Sequence, residues 1–195
     1  MQPARTLTAA GLAAAGASGL YLGLVTGALP VDVGLGRTTR PLGPFSVDVA
    51  APRETVFDVI AAPYDVRASR AMQAKARVLE RGSDMVLAAH YTPIRGRLRA
   101  TTVETVRFSR PDRVDFRLVR GPVPYVVETF WLRERHETTL LEYEGELGTD
   151  LWRLGRRWGD LVARRWRVVV QESFAAVKAE AERRVAVGFE GRRPR

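Results

Sequence analysis

One long apolar stripe near the C-terminus constrains this chain more than any other feature. Leu151, Leu154, Trp158, Leu161, Val162 and Trp166 recur at intervals of three and four residues, and Val169, Val170, Phe174, Val177 and Ala181 continue the series. That spacing lines one face of an α-helix. Asp150, just before it, is a residue type that caps helix starts. The pattern predicts one helix of about 35 residues, roughly 50 Å long. Its apolar face needs an equally broad partner, so the rest of the chain must supply a wide apolar surface.

The preceding hundred residues supply it as strands. Six runs alternate or carry β-forming residues: Lys75–Arg81, Met85–Thr92, Arg97–Phe108, Arg113–Val119, Tyr125–Arg135 and Thr138–Leu147. Short Gly/Pro/Asp/Ser turns divide them, such as Gly82-Ser-Asp84 and Ser109-Arg-Pro-Asp112. Connections this short join antiparallel neighbours and leave no room for parallel crossovers. The last run is the clearest, with Leu141, Tyr143, Gly145 and Leu147 on one face and Glu142, Glu144 and Glu146 on the other. The three glutamates read as a solvated strand face. Upstream, Phe45–Val49 alternates as a first strand, and Pro52 opens a helix carrying Val56, Phe57 and Ile60 until Pro63 stops it. Residues from Tyr64 to Gln73 read as a short second helix or an irregular lid. The sum is an α+β arrangement with its helices on one sheet face.

This element order, with a helix carrying Val56-Phe57 directly after Ala50-Ala-Pro52, resembles the SRPBCC superfamily. That group includes START-like, birch-allergen-like and polyketide cyclase/dehydrase-like proteins, and the resemblance covers residues 44–185. It implies a helix-grip fold: a seven-stranded antiparallel sheet wrapped around a long C-terminal helix, enclosing a cavity for hydrophobic ligands. Phe116, Trp131, Tyr143, Trp158 and Trp166 are then the aromatic candidates for the cavity wall, with plain core as the default reading of each. Tyr64, His90, Glu104 and Glu128 are the polar candidates for ligand binding. His90, Tyr143 and Arg97 are the candidates for acid/base chemistry. Gly155 and Gly159, one turn apart, each weaken the last helix by about 1 kcal/mol relative to alanine, which points to close approach or open space there.

Several chemistries lack their residues. There is no cysteine, which removes disulfides, thiolate metal sites and thiol nucleophiles. No phosphate loop, His-Glu-x-x-His pair, nucleophile elbow or dinucleotide fingerprint is present, and no metal or cofactor is expected. The net charge of +9 is almost wholly arginine, since Lys75 and Lys178 are the only lysines among 31 basic residues. A solvated basic surface accounts for it, and nucleic acid is not the expected partner.

From Thr6 to Val31 no side chain is charged, a span longer than the roughly 20 residues that cross a bilayer as a helix. Residues 7–29 are expected to be a single-pass membrane anchor after a lead of residues 1–6, with a cleaved signal peptide as the rival. The charge pattern hardly separates the two sides, with a slight lean to the cytoplasmic face. Small residues at Gly11, Ala15, Gly19, Gly23 and Gly27 share one helix face, where Gly19, Gly23 and Gly27 could support self-association. Residues 30–43 read as a connector without regular structure, and 186–195 as a basic tail. The expected function is a membrane-tethered binding or carrier protein for a hydrophobic small molecule or lipid. The alternatives are a polyketide cyclase/dehydrase- or aromatase-like enzyme and a membrane-associated protein-interaction or stress module.

Overall fold

The computed structural model describes residues 18–190. Its frame is one eight-stranded antiparallel sheet. The strands are β1 (Thr38–Pro41), β2 (Phe45–Val49), β3 (Ala76–Arg81), β4 (Met85–Arg95), β5 (Leu98–Ser109), β6 (Arg113–Arg120), β7 (Tyr125–Arg135) and β8 (Thr138–Thr149). Strands β3 to β8 form the expected meander, each paired with the next. Between β2 and β3 lie α1 (Arg53–Ala61), a 3-10 turn (Ala62–Tyr64) and one helical turn, α2 (Arg70–Gln73). The chain closes with α3 (Trp152–Glu190), 39 residues long.

The sheet has one strand more than expected. β1 lies inside the stretch read as a connector and pairs with one end of β8, Thr38 opposite Thr149 and Pro41 opposite Glu146. β2 takes the other end, Phe45 opposite Tyr143 and Val49 opposite Thr139. The two are successive parts of one edge, interrupted at Leu42–Pro44, where Leu42 turns fully into the core. Thr38-Thr-Arg-Pro41 is short and polar and has a single strand neighbour, so no apolar alternation betrays it.

Asp150 does not cap α3. Its carboxylate accepts hydrogen bonds from the backbone N–H groups of Val33 and Gly34, both at 2.8 Å, and from Arg37 Nε at 2.8 Å. The Arg37 hydrogen bond is the main reason its carboxyl is held below the ordinary carboxylate range. Beside it, the backbone N–H of Leu151 bonds to the Leu35 carbonyl and that of Trp152 to the Gly36 carbonyl. The chain before β1 is thus laced to the start of α3. Gly155 fits the same junction, since a Cβ there would stand 1.5 Å from the Asp150 carbonyl oxygen. At Gly159 a Cβ would meet the Arg40 guanidinium, which crosses there to the Arg156 carbonyl and Asp160. Close approach, not open space, explains both glycines.

The single-pass anchor is overturned. Among the described residues no helix is long and apolar enough to cross a membrane. Residues 18–25 are helical and the helix stops there, while residues 7–17 of the expected span, with Gly11 and Ala15, lie outside the described residues. The chain then folds back onto the sheet: the Thr101 N–H donates to the Thr26 carbonyl at 2.9 Å, and Arg120 donates to the carbonyls of Gly27 and Ala28. The described small residues have no helix partner. Gly23 abuts Leu29 within its own segment, and Gly27, at φ +72°, presses on Thr101 and Gly121. Its left-handed conformation and this close approach account for the glycine.

Candidate functional site

Alternation along the strands decides which side chains enter the space between sheet and helix. On β5, Thr102, Glu104 and Val106 are buried; on β7, Val126, Glu128, Phe130 and Leu132; on β8, Leu141, Tyr143 and Leu147. Two carboxylates therefore sit at inward positions, with residue exposures of only 6% for Glu104 and 7% for Glu128. Around them, under α3 from Trp158 to Val177, lies a cavity of about 630 Å³.

Of the residues expected to bind ligand, Tyr64, His90, Glu104, Phe116, Glu128, Trp158 and Trp166 line this cavity. Tyr143 stands one layer behind it, fully buried. Trp131 does not reach it. On β7 it is three residues from Glu128 and so has the opposite parity, and on the outer face it lies between the guanidiniums of Arg113 and Arg133. Arg97 does not reach it either, being exposed in the turn between β4 and β5. The acid/base candidates therefore do not converge as a trio: His90 enters the cavity, Tyr143 supports it, and Arg97 is remote.

The polar groups form two short chains. In the first, the Tyr64 hydroxyl lies 2.9 Å from His90 Nε2, and His90 Nδ1 lies 3.3 Å from Glu104 Oε2. Burial raises the Tyr64 pKa, so the phenol keeps its proton and donates it to Nε2. Burial also lowers the His90 pKa to about 4, leaving the imidazole neutral. Its single proton then belongs on Nδ1, facing Glu104, although Nδ1 makes no well-aligned hydrogen bond.

In the second chain, Glu128 Oε1 accepts from the Tyr143 hydroxyl at 2.6 Å and from Trp166 Nε1 at 2.8 Å. Gly145, opposite Glu128 in register, makes the first bond possible, because a Cβ there would stand 2.5 Å from the Tyr143 hydroxyl oxygen. Both bonds fall on one oxygen, so Oε2 carries none among the described residues.

Glu104 and Glu128 are both pushed up to about 7, chiefly because burial penalises the charged form. The charge on Glu104 raises Glu128 further, and the two hydrogen bonds to Glu128 only partly offset this. No lysine or arginine pairs with either among the described residues. The cavity's basic groups, Lys75 and Arg165, have exposed side chains at its rim. The site can therefore hold a proton on either carboxyl, accept hydrogen bonds at neutral pH, and exclude water from an apolar ligand. Among the described residues no cluster of His, Asp and Glu could hold a metal ion.

This arrangement of sheet, terminal helix and enclosed cavity recurs in solved structures. The Zhui aromatase/cyclase from Streptomyces superposes with a TM-score of 0.60 at 18% identity, over 76% of this chain and 96% of its own. The fold is helix-grip. A truncated norcoclaurine synthase from Thalictrum flavum matches this helix-grip domain with a TM-score of 0.56 at 11% identity, over 75% of this chain and 94% of its own. The di-domain aromatase/cyclase StfQ from the steffimycin biosynthetic pathway does so at 0.51 and 20% identity, over 74% of this chain and 46% of its own. No protein-family model and no curated sequence matches the chain. At these identities the likeness is one of fold, and one fold hosts many chemistries.

Tyr21 and Val25 are among the cavity residues that escaped the sequence reading. They line the mouth, but they fall within the uncharged run that reads as an anchor. The buried carboxylates did carry a signal: each is a charged residue at an inward position, Glu104 between Thr102 and Val106 and Glu128 between Val126 and Phe130.

Proposed function

We propose that the protein binds a hydrophobic, ring-bearing small molecule between the sheet and α3, with the ligand's polar end against Glu104, His90 and Glu128. One observation carries the reading: an apolar cavity of about 630 Å³ contains two buried carboxylates that pair with no lysine or arginine among the described residues. Pockets of about 300–1,000 Å³ with apolar walls and a few oriented polar groups are typical of small-molecule sites, and burying carboxylates without a counter-ion costs stability, which is why such groups cluster at functional sites. Native mass spectrometry and organic extraction of the purified full chain test the reading. A retained small molecule, displaced by a planar phenol such as 2-naphthol, supports it. No retained ligand together with no 2-naphthol binding overturns it.

A second reading is proton-transfer chemistry of the cyclase/dehydrase kind, favoured by two carboxyls held near neutrality beside a neutral imidazole. One ionised carboxylate would take a proton from carbon next to a carbonyl, while the other, protonated, would give its proton to a departing hydroxyl, with net loss of water. The aromatase/cyclase neighbours are consistent with it. Deuterium wash-in at the α-carbon of 2-tetralone, followed by NMR, isolates the first half of that chemistry. Exchange should be at least about tenfold faster with the wild type than with Glu104→Gln or Glu128→Gln. Equal rates would remove this reading and leave simple binding in place.

A further inference from the structure

The segment before residue 30 is fastened to the sheet at a particular gap. β6 pairs with β5 only from Val103 onward, so the N–H of Thr101 lies beyond the end of that ladder. The Thr26 carbonyl takes that bond at 2.9 Å. Arg120, at the end of β6, holds the next two carbonyls, with Nε 3.3 Å from that of Gly27 and Nη2 3.1 Å from that of Ala28. Downstream, Asp150 grips Val33 and Gly34. Between these ties and the cavity stand Tyr21 and Val25, both in its wall. The Tyr21 ring meets Trp158 edge-on with centroids 6.4 Å apart, and the Trp158 indole is itself fixed by a hydrogen bond to the Pro122 carbonyl at 2.7 Å.

We infer that residues 18–29 form a wall of the binding cavity and that Tyr21, set against Trp158, determines how wide a ligand its mouth admits. The inference rests on the cavity being a ligand site. It accounts for apolar character at Tyr21 and Val25 without a bilayer, because both face the cavity. It also accounts for Gly27, which must adopt a left-handed turn where any side chain would strike the Thr101 carbonyl.

The test uses the full chain and two planar phenols of different width, 2-naphthol and pyren-1-ol. Tyr21→Ala is expected to bind pyren-1-ol about tenfold more tightly than the wild type does, and 2-naphthol within about twofold, since only the wider ring system presses on the mouth. Equal changes for both ligands, or none for either, overturn the assignment of Tyr21.

Amide exchange at Thr101 tests the seating of the wall without any ligand. Thr101 should be protected in the wild type and lose at least about tenfold of that protection in Gly27→Ala. Arg120→Gln, which removes only the side-chain tie, gives a milder version of the same loss should Gly27→Ala fold poorly. A Thr101 amide that exchanges as freely in the wild type as in both variants overturns the wall. Should neither phenol bind and the purified chain retain no ligand, the ligand-site reading falls, while Thr101 exchange still decides whether the segment is seated.

Discussion

Where Phe174 packs beneath α3 the interior is filled; along the side of α3 that runs from Trp158 to Val177 it is hollow. In the filled part, Phe174 meets Phe45, Phe130 and Tyr143 at ring-centroid distances of 5.3, 5.1 and 6.2 Å, and Phe45 stacks on Tyr143 at 4.5 Å. The helix there is also tied to the end of β2 and the residue after it, through Lys178 to the Asp48 carbonyl and Glu182 to the Ala50 N–H. In the hollow part, Trp158, Val162 and Trp166 border the cavity, and the strands opposite offer Glu104 and Glu128. One helix over one sheet thus has a packed part that holds the fold together and a part that borders a cavity. The division is written in side-chain volume and polarity.

The largest effect should come from breaking the filled part. Phe174→Ala removes a ring that three others touch, and such truncations cost about 3–5 kcal/mol. Val162→Ala in the hollow part deletes methyls that already border empty space and should cost under about 1 kcal/mol. Urea unfolding with unchanged m-values measures both. Equal losses would mean that the two parts are packed alike.

The next effect sharpens the contrast through pH. Folded, Glu104 and Glu128 keep their protons to about pH 7, whereas their ordinary value is 4.5. Between those values the folded state binds more protons than the unfolded, so stability falls as pH rises. His90 acts in the opposite sense. Its folded value near 4 lies below the ordinary 6.5, so it costs stability as pH falls between them. Above about pH 6.5 the carboxyls dominate. Raising the pH from about 6.5 to 8.5 should therefore destabilise the wild type, and Glu104→Gln should be the more stable protein at the upper end, by about 1–3 kcal/mol. Chemical denaturation at the two pH values would show this. A variant that tracks the wild type at both would mean that Glu104 is not held in a protonated, buried state.

A smaller effect isolates one support. Tyr143→Phe keeps the aromatic packing and deletes one of the two hydrogen bonds to Glu128 Oε1. A loss of about 1 kcal/mol is expected, with Glu128 displaced further upward because the charged form loses a donor. NMR titration of the Glu128 carboxyl reads the direction. A downward movement would contradict the hydrogen-bond geometry.

Much of this architecture could be read from the residues because both periods in the sequence are strong. The stripe from Leu151 to Ala181 carries the last helix, and the Gly/Pro/Asp turns place the six meander strands within a few residues of their observed ends. β1 escaped because a short polar edge strand leaves no alternation to detect. The N-terminal run misled because hydropathy cannot tell a segment that crosses a bilayer from one that folds back on the sheet, with Tyr21 and Val25 in the cavity wall and Leu20, Leu22 and Leu29 exposed. At the site, parity on β7 already implied that Glu128 and Trp131 could not both face inward, a constraint that the choice of candidates did not apply. Asp150 was misplaced for another reason: its acceptors serve the backbone of residues 33 and 34, a partnership more than a hundred positions away that no local pattern encodes.

The smallest effect should fall outside both parts, at Trp131. Its ring lies on the outer sheet face, with the guanidinium carbons of Arg113 and Arg133 at 5.1 and 5.7 Å from the centroid. Contacts of this kind at half-exposed sites contribute about 0.5–1 kcal/mol, so Trp131→Thr, which preserves strand propensity, should cost about 1 kcal/mol. Affinity for 2-naphthol should stay within about twofold, because β7 itself separates this ring from the cavity and sites without shared partners act independently. The pairing of Trp131→Thr with Trp166→Phe makes the comparison decisive. Trp166 lies on the cavity side and donates to Glu128, so its variant should weaken 2-naphthol while Trp131→Thr does not. If the outer substitution weakened binding as much as the inner one, the sheet would be transmitting strain between its faces, and the separation of a packed part from a hollow part would no longer describe this protein.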